Sequence, residues 1–283
     1  MNWFRRILTY RLTLYYLAAL VLVSIGLAWY GIIRPLPLNI VFSVAVSLAS
    51  CFAVNALFAR IFGARSNWES VCISALILTL IVSPAAPSDY TAIGFLVFCC
   101  AWAMGSKYIV ATNKKHIFNP AAFGVALGGL VLKGSASWWI GDNATILPLV
   151  IVGGILVLTR LHYYELIASF AVVVLGLTLI NTPLARLGAS ETTMAVHSAF
   201  CFFLFVMLTE PRTVPIGRWR QIAYGALIGG LWYPYTHLGD YYFTPEVALL
   251  AGNLFTFVSN RRRLQRWTSG LGLKGPLSSA KAG

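Results

Sequence analysis

Long apolar stretches, separated by short polar segments, run through most of this chain. An α-helix needs about 20 mostly apolar residues to cross the hydrocarbon core of a membrane, and ten stretches approach or reach that length. The shorter ones are typical of helices that are tilted or interrupted within the membrane. The ten predicted helices are approximately Leu12–Ile33, Leu36–Ala59, Trp68–Ser83, Ala92–Gly105, Phe118–Leu132, Ile146–Thr159, Glu165–Ile180, Ala195–Thr209, Trp219–Tyr235 and Phe243–Ser259.

The composition leads to the same interpretation. Of the 283 residues, 59% are hydrophobic and 10% are charged, whereas soluble domains average about a quarter charged residues. An ordinary soluble enzyme and a disordered chain are therefore excluded. We predict an all-α membrane protein, with one polytopic domain over residues 1–260 and a basic cytoplasmic tail over residues 261–283.

The basic residues predict the orientation of the spans. The net charge is +13, and with the N-terminus inside, 18 of the 21 lysines and arginines fall on the inner side. Only Arg34, Lys133 and Arg186 fall in outer loops, in agreement with the positive-inside rule. We therefore predict that both termini lie inside. No small-x-small cleavage site follows the first apolar stretch, so we expect it to be a retained span rather than a signal peptide.

Two pairs of prolines at the ends or starts of predicted helices have nearly the same separation along the chain. Pro84 and Pro211, after the third and eighth stretches, lie 127 residues apart, and Pro120 and Pro245, at the starts of the fifth and tenth, lie 125 apart. Two halves of five spans each would have opposite orientations. Binding sites of such inverted repeats lie near the midplane, where interrupted helices meet. The predicted repeats are about residues 12–132 and 146–259.

Other features predict packing rather than chemistry. The pairs Gly124–Gly128 and Gly225–Gly229 do not follow the repeat spacing and are typical of close helix packing. We expect no metal site, since all cysteines fall within predicted spans and behave there as small apolar residues. These cysteines are Cys51, Cys72, Cys99, Cys100 and Cys201.

An inner loop before the fifth helix combines basic and polar residues. Lys115 and His116 lie in it, and Phe118, Asn119 and Pro120 begin the helix. Asn119 can cap the helix, and Pro120 suits its first position. A helix N-terminus beside lysines suits an anion such as phosphate, whereas Asn119 and backbone amides suit the carbonyls and nitrogens of a flat ring. A basic loop with an ordinary N-cap is the alternative.

A second polar cluster lies at the inner end of the eighth span. Thr209, Glu210, Arg212 and Thr213 surround Pro211 there. An ionisable residue at a membrane boundary usually has a partner or a function. Glu210 therefore predicts a bound cation, a relayed proton or an ion pair with a base of the inner loop, and the sequence leaves these three open.

Two segments resemble motifs of one family. Residues Lys114 to Gly124 and Met207 to Pro215 are similar to elements in the B and D membrane subunits of the Na⁺-translocating NADH:quinone oxidoreductase and of the Rnf electron-transport complex. Glu210 replaces the Asp of that family's Thr-Asp-Pro-x-(Ser/Thr)-x-Pro element. The resemblance covers most of the chain. It implies about ten spans in an inverted 5+5 fold, related to urea-transporter-like channels, in the cytoplasmic (inner) membrane of a bacterium.

The resemblance also implies a function and a cofactor. It implies a flavin-binding subunit that passes electrons across or within the membrane, with possible coupling to Na⁺ or H⁺ movement. Family members carry FMN esterified to the Thr of a Ser-Gly-Ala-Thr-type outer loop, and only Ser190 and Thr193 match that motif here. We therefore expect noncovalent FMN or riboflavin, with Thr193 as the position of any covalent link. The implied cofactor-binding residues are Lys115, His116, Phe118, Asn119, Thr209, Glu210, Arg212 and Thr213.

Partners and alternatives complete the sequence-based hypothesis. The expected partners are other membrane and soluble redox subunits, which would connect the chain to a quinone, a ferredoxin or an NADH-linked donor; membrane lipid is expected and nucleic acid is not. A small-solute or ion transporter or channel on the same fold is the first alternative. A haem-bearing quinone-reactive subunit is the second, although three of the four histidines fall in loops or at boundaries rather than deep in facing helices.

Overall fold

The protein is mostly α-helical. A computed structural model describes residues 2–260, apart from 65, 113–114, 142, 182–197 and 234–235, and only the backbone of residues 2–9 and 241. The α-helices within these residues are α1 (Asn2–Trp29), α2 (Pro37–Ile61), α3 (Trp68–Ile81), α4 (Tyr90–Ile109), α5 (Pro120–Leu132), α6 (Leu147–Leu161), α7 (Tyr164–Asn181), α8 (Ser198–Phe202), α9 (Arg218–Trp232) and α10 (Pro245–Ser259).

Two short antiparallel hairpins were not predicted from the sequence. The first pairs β1 (Ala111–Thr112) with β2 (Lys115–His116), and the second pairs β3 (His237–Leu238) with β4 (Tyr241–Tyr242). Strands of two residues are too short to produce an alternating hydrophobic pattern. Each hairpin lies directly before a proline-initiated helix, the first before α5 and the second before α10.

The length and apolar composition of the helices indicate a membrane-embedded protein. Four of those described are long and apolar enough to cross a membrane: Tyr10–Trp29 within α1, then α2, α4 and α7. Four further apolar helices, α3, α5, α6 and α10, have 13 to 15 residues. At 1.5 Å per residue these are about 20 Å long, shorter than a hydrocarbon core of about 30 Å.

Most residues of the four long apolar helices lie outside the buried core. Val172 and Ile180 on α7 are 69% and 81% exposed, and Leu22 on α1 is 68% exposed. A soluble protein rarely exposes so continuous an apolar surface. Lipid is the solvent that fits this exterior.

Glycines allow the closest helix contacts, as the Gly-x-x-x-Gly pairs predict. A Cβ at Gly124 of α5 would overlap the backbone of α4 at the Cys99 carbonyl, and one at Gly225 of α9 would overlap the Leu166 carbonyl of α7. The predicted close packing is confirmed at both positions. It holds α5 against α4 and α9 against α7.

The chain breaks helical hydrogen bonding at the end of α3, before Pro84. The amide of Ala85 donates to Ser43 Oγ at 2.8 Å instead of to the Ile81 carbonyl one turn earlier. That carbonyl accepts from the backbone amides of Ser137 and Trp138, both at 2.9 Å. A broken helix end inside the bundle is thus satisfied by the segment that follows α5, as required away from water.

The second break follows α8. A π-helical turn over Phe203–Met207 continues α8, and the Leu208 amide donates to the Phe203 carbonyl at 2.9 Å. Such turns are rare and are frequently found at functional sites. This π-turn leads directly into Thr209, Glu210 and Pro211, the second polar cluster of the sequence.

Candidate functional site

A cavity lies among α1, α3, α6, the start of α5 and the segment after the π-turn. The enclosed space that a water-sized sphere can occupy is about 50 Å³, and the empty space reaches about 670 Å³ when the open mouth is included. Apolar side chains such as Ile73, Ile77, Val157 and Phe205 form much of its wall. The polar side chains of the lining are those of Tyr10, Thr13, Tyr16, Ser70, Ser74, Asn119, Thr209 and Glu210.

Asn119 is fixed at this cavity by three hydrogen bonds. Its Oδ1 accepts from the Ala122 amide at 3.1 Å, which makes it the predicted N-cap of α5. Its backbone amide donates to Asn253 Oδ1 of α10 at 2.7 Å. Asn253 Nδ2 in turn donates to the Tyr224 hydroxyl of α9 at 2.9 Å. The start of α5 is therefore anchored to both α9 and α10 in the core.

The third bond joins the two predicted motifs. Pro211 has no amide hydrogen, so it cannot donate to the Met207 carbonyl one helical turn earlier. Asn119 Nδ2 donates to that carbonyl over a long distance of 3.5 Å. Because both partners are buried, this contact satisfies a carbonyl that the proline leaves unpaired.

His116 and Glu210 connect the motifs a second time. His116 Nε2 donates to Glu210 Oε1 at 2.8 Å, and the two side chains are 2% and 18% exposed. Glu210 therefore pairs with a base of the inner loop, which is one of the three roles that the sequence left open. The other carboxylate oxygen, Oε2, is buried without a hydrogen-bond partner among the described residues.

Two basic side chains lie near this carboxylate. Lys107 of α4 donates from Nζ to the Ser70 carbonyl at 2.9 Å and to Ser70 Oγ at 3.1 Å, and Ser70 lines the cavity. The Arg212 guanidinium lies 5.8 Å from the centre of the Tyr10 ring, in cation–π range. Glu210 thus has basic neighbours on α4 and after the π-turn. A ligand that is neutral or anionic suits such surroundings better than a metal cation.

The remaining predicted site residues lie at varying distances from the cavity. Thr209 lines it, and Thr213 is buried, with its hydroxyl donating to the Glu210 carbonyl at 3.2 Å. Lys115 is exposed on β2, and the Phe118 ring packs on Phe123 at 5.8 Å rather than lining the cavity. Thr193, the predicted position of a covalent link, lies outside the described residues.

Three cavity features were not predicted from the sequence. The fourth predicted helix ends at Gly105 and so excludes Lys107, but α4 continues to Ile109 and carries Lys107 into the bundle. Ser70 and Tyr16 resemble ordinary helix positions, and only their packing places them at the cavity. An isolated lysine at the end of an apolar helix was the one available signal, since buried lysines seldom lack a partner.

The other candidate ligands lie elsewhere. Among the described residues, no three His, Cys, Asp or Glu side chains come together in a way that could hold a metal ion. The rings of His162 and His237 pack on Tyr164 and Tyr242, while His197 lies outside the described residues. The five cysteines carry free thiols.

Comparisons with known proteins add no assignment. No protein-family model matches the chain, and no curated protein matches it significantly. The two motifs and the geometry of the cavity are therefore the features that indicate a function.

His116 is expected to make stability pH-dependent. Burial lowers its pKa, Glu210 opposes this effect, and Arg212 and Lys107 add to it. A histidine with a lowered pKa binds fewer protons when folded than when unfolded, so its contribution is complete above the ordinary pKa of about 6.5 and decreases as the pH falls below it. The thermal unfolding midpoint in detergent should therefore decrease upon acidification.

A pair of variants isolates this contribution. His116→Gln retains a donor for Glu210 but does not titrate, so its unfolding midpoint should depend less on pH between about 7.5 and 5 than that of the unmodified protein. His162→Gln changes an exposed histidine and is the matched control. An identical pH dependence in all three proteins would contradict the expectation.

Proposed function

We propose that this chain is a flavin-binding membrane subunit of an electron-transport complex. In this proposal it is a divergent relative of the B and D subunits that it resembles, and it holds FMN or riboflavin noncovalently. One observation carries the proposal: Asn119 and Glu210, from the two family-like motifs, line a single cavity. Residues so far apart in the chain meet there through the His116–Glu210 and Asn119–Met207 hydrogen bonds.

The chemistry of the cavity lining supports a flavin site, although the enclosed space of about 50 Å³ requires the surrounding helices to move apart before a ring can enter. Ile73, Val157 and Phe205 offer apolar surface for a flat ring system, and Ser70 and Glu210 offer polar atoms at its edge. Such a mainly apolar pocket with few polar groups is typical of cofactor sites. When bound, the flavin supplies the electron-transfer chemistry, while the protein orients it and sets its electrostatic surroundings.

We also propose that the chain forms ten spans as an inverted 5+5 repeat with both termini inside. Support comes from the recurrence of one sequence of elements, a hairpin, an N-cap and a proline-initiated helix, at α5 and again at α10. The helices also pair in matching ways: α1 packs on α3 as α6 packs on α8, and α5 packs on α10. A bacterial cytoplasmic membrane is the proposed location, and the chain would depend on other redox subunits for its electron donor and acceptor.

The test is to purify the protein in detergent with any co-purifying subunits and to record its visible spectrum. We expect the absorption of an oxidised flavin, and we expect the flavin to be released by denaturation. Glu210→Ala should reduce the flavin content several-fold, because it removes both the lining carboxylate and the partner of His116. Glu165→Ala, which removes a carboxylate that lies 3.5 Å from exposed Arg218, should retain it. A colourless complex would contradict the proposal.

The mode of attachment has its own measurement. Flavin fluorescence that remains with the denatured polypeptide would indicate a covalent link, and Thr193→Val should then abolish it. Fluorescence found only in the supernatant after denaturation is the expected result.

A non-redox transporter or channel is the second candidate. The open mouth of the cavity and the partly exposed Glu210 side chain in its lining favour it. Solute flux into liposomes that requires no electron donor, together with an absence of flavin, would support this alternative.

A further inference from the structure

A second buried carboxyl group lies away from the cavity, near the start of α10. Glu246 is in the first turn of this helix and is 3% exposed. It precedes Asn253, the residue that meets the start of α5, by about 10 Å along the helix at 1.5 Å per residue. An ionisable side chain buried in a membrane domain is costly and usually marks an ion or proton pathway. The flavin proposal gives Glu246 no role.

The fold holds the indole of Trp138 against this carboxyl group. Trp138 Nε1 donates to Glu246 Oε1 at 2.9 Å. The backbone amide of Trp138 donates to the Ile81 carbonyl at 2.9 Å, and its φ of 51° lies in the left-handed region. Residues other than glycine seldom adopt that region, and such strain persists where the surrounding structure over-determines it. The bond to Glu246 is one of the contacts that fix Trp138.

No basic group of the described residues forms an ion pair with Glu246, since the ion pairs found there use other glutamates. The titratable group that faces it is the Cys99 thiol of α4, which is neutral and supplies no positive charge. Tyr224 of α9 is bonded to Asn253 instead. Exposed titratable groups nearby in the chain are Lys133, His237, Asp240 and Tyr242. Burial without a cation therefore favours the neutral acid.

The immediate partners of Glu246 suit a carboxyl group that gains and loses a proton. An indole N–H can only donate, so Oε1 accepts from Trp138 in both protonation states. The Thr244 hydroxyl also lies beside the carboxyl group, and a hydroxyl can donate to a carboxylate or accept from a carboxylic acid. The N-terminus of α10 favours the charged form, whereas burial favours the neutral form. Both forms can therefore be accommodated.

We propose that Glu246 is a proton-binding site of the membrane domain, separate from the His116–Glu210 pair. Oε2 takes a proton from water and returns it, while Oε1 keeps its bond to Trp138. A metal ion does not suit the site, because hard cations bind several oxygen ligands and the neighbouring indole presents an N–H donor. The proposal goes beyond the flavin-binding function and does not depend on it.

Infrared spectroscopy of the full-length protein in detergent tests the site. A protonated carboxylic acid has a carbonyl stretching band that moves to lower frequency in D₂O and disappears upon deprotonation. We expect such a band to weaken as the pH is raised between about 5 and 9, and to be lost in Glu246→Gln. Glu165→Gln, which changes a carboxylate beside exposed Arg218, is the matched control and should retain it. A band unchanged in Glu246→Gln, or no band in the unmodified protein, would overturn the proposal.

A second variant tests the bond to the indole and decides the question if Glu246→Gln does not fold. Trp138→Phe removes the donor to Oε1, which is the carbonyl oxygen of the protonated acid, so the band should persist at a higher frequency. Trp219→Phe, at an exposed position, should leave the frequency unchanged. The same frequency in Trp138→Phe as in the unmodified protein would contradict the assignment. Loss of the band upon addition of Na⁺ at constant pH would overturn it in favour of a cation site.

Discussion

Asn119→Ala is expected to reduce the free energy of unfolding by about 2–3 kcal/mol. Loss of an N-cap costs about 1 kcal/mol, and α5 loses the cap on the Ala122 amide. The Met207 carbonyl also loses its only described side-chain donor. Because Pro211 cannot replace that donor, a buried carbonyl would remain unpaired, at a further cost of about 1–3 kcal/mol. The long 3.5 Å contact places this second effect near its lower limit.

Chemical or thermal unfolding in detergent, followed by circular dichroism, measures the change. Asp89→Ala is the matched control, since Asp89 caps α4 in the same way at 3.0 Å but is exposed. Asp89→Ala should reduce the free energy of unfolding only by the contribution of the N-cap. Asn119→Ser, which retains a capping hydroxyl, should cost less than Asn119→Ala because only the Met207 contact is lost. An effect of Asn119→Ala no larger than that of Asp89→Ala would refute the link between the motifs.

Gly225→Ala is expected to destabilise the protein by about 1–3 kcal/mol or to prevent its folding. The added Cβ would overlap the Leu166 carbonyl and press on the Phe170 amide of α7. These are backbone atoms, which cannot rotate away as a side chain can, so α7 and α9 would have to separate. Overpacking of this kind typically costs 1–3 kcal/mol.

Gly230 provides the control within the same helix. A Cβ at Gly230 would meet nothing within 4 Å, so Gly230→Ala should be neutral or stabilising by up to about 1 kcal/mol through helix propensity. The readouts are the yield of monodisperse protein on size exclusion and its unfolding midpoint. Similar behaviour of the two variants would mean that α7 and α9 are not in close contact at Gly225.

Much of the helical architecture follows from the sequence because apolar stretches and proline-initiated helix starts are local signals. The fifth helix was predicted from Phe118 to Leu132 and extends from Pro120 to Leu132. The fourth was predicted to end at Gly105, but α4 continues to Ile109. Its last turn holds Ser106, whose hydroxyl donates to the Ala103 carbonyl, and Lys107, which reaches Ser70. Hydropathy alone places such residues in a loop.

The site was predictable as two motifs but not as one cavity. Proline chemistry predicts that helices break or begin near Pro120 and Pro211, and charge predicts a partner for Glu210. Nothing local predicts that the partner is His116, or that Asn253 holds the amide of Asn119. Such contacts depend on how the helices pack across the bundle, and a single sequence does not encode that as a local pattern.

The π-turn over Phe203–Met207 makes the site sensitive to chain length. A π-turn contains one residue more than the α-helical turn that it replaces, and one residue corresponds to about 100° of rotation around a helix axis. Removing a single residue there would regularise the helix and rotate Thr209 and Glu210 away from the start of α5. The same apolar helix would remain, without its carboxylate at the cavity. Deletion of a single residue would thus remove the site from the chain while leaving its hydropathy nearly unchanged.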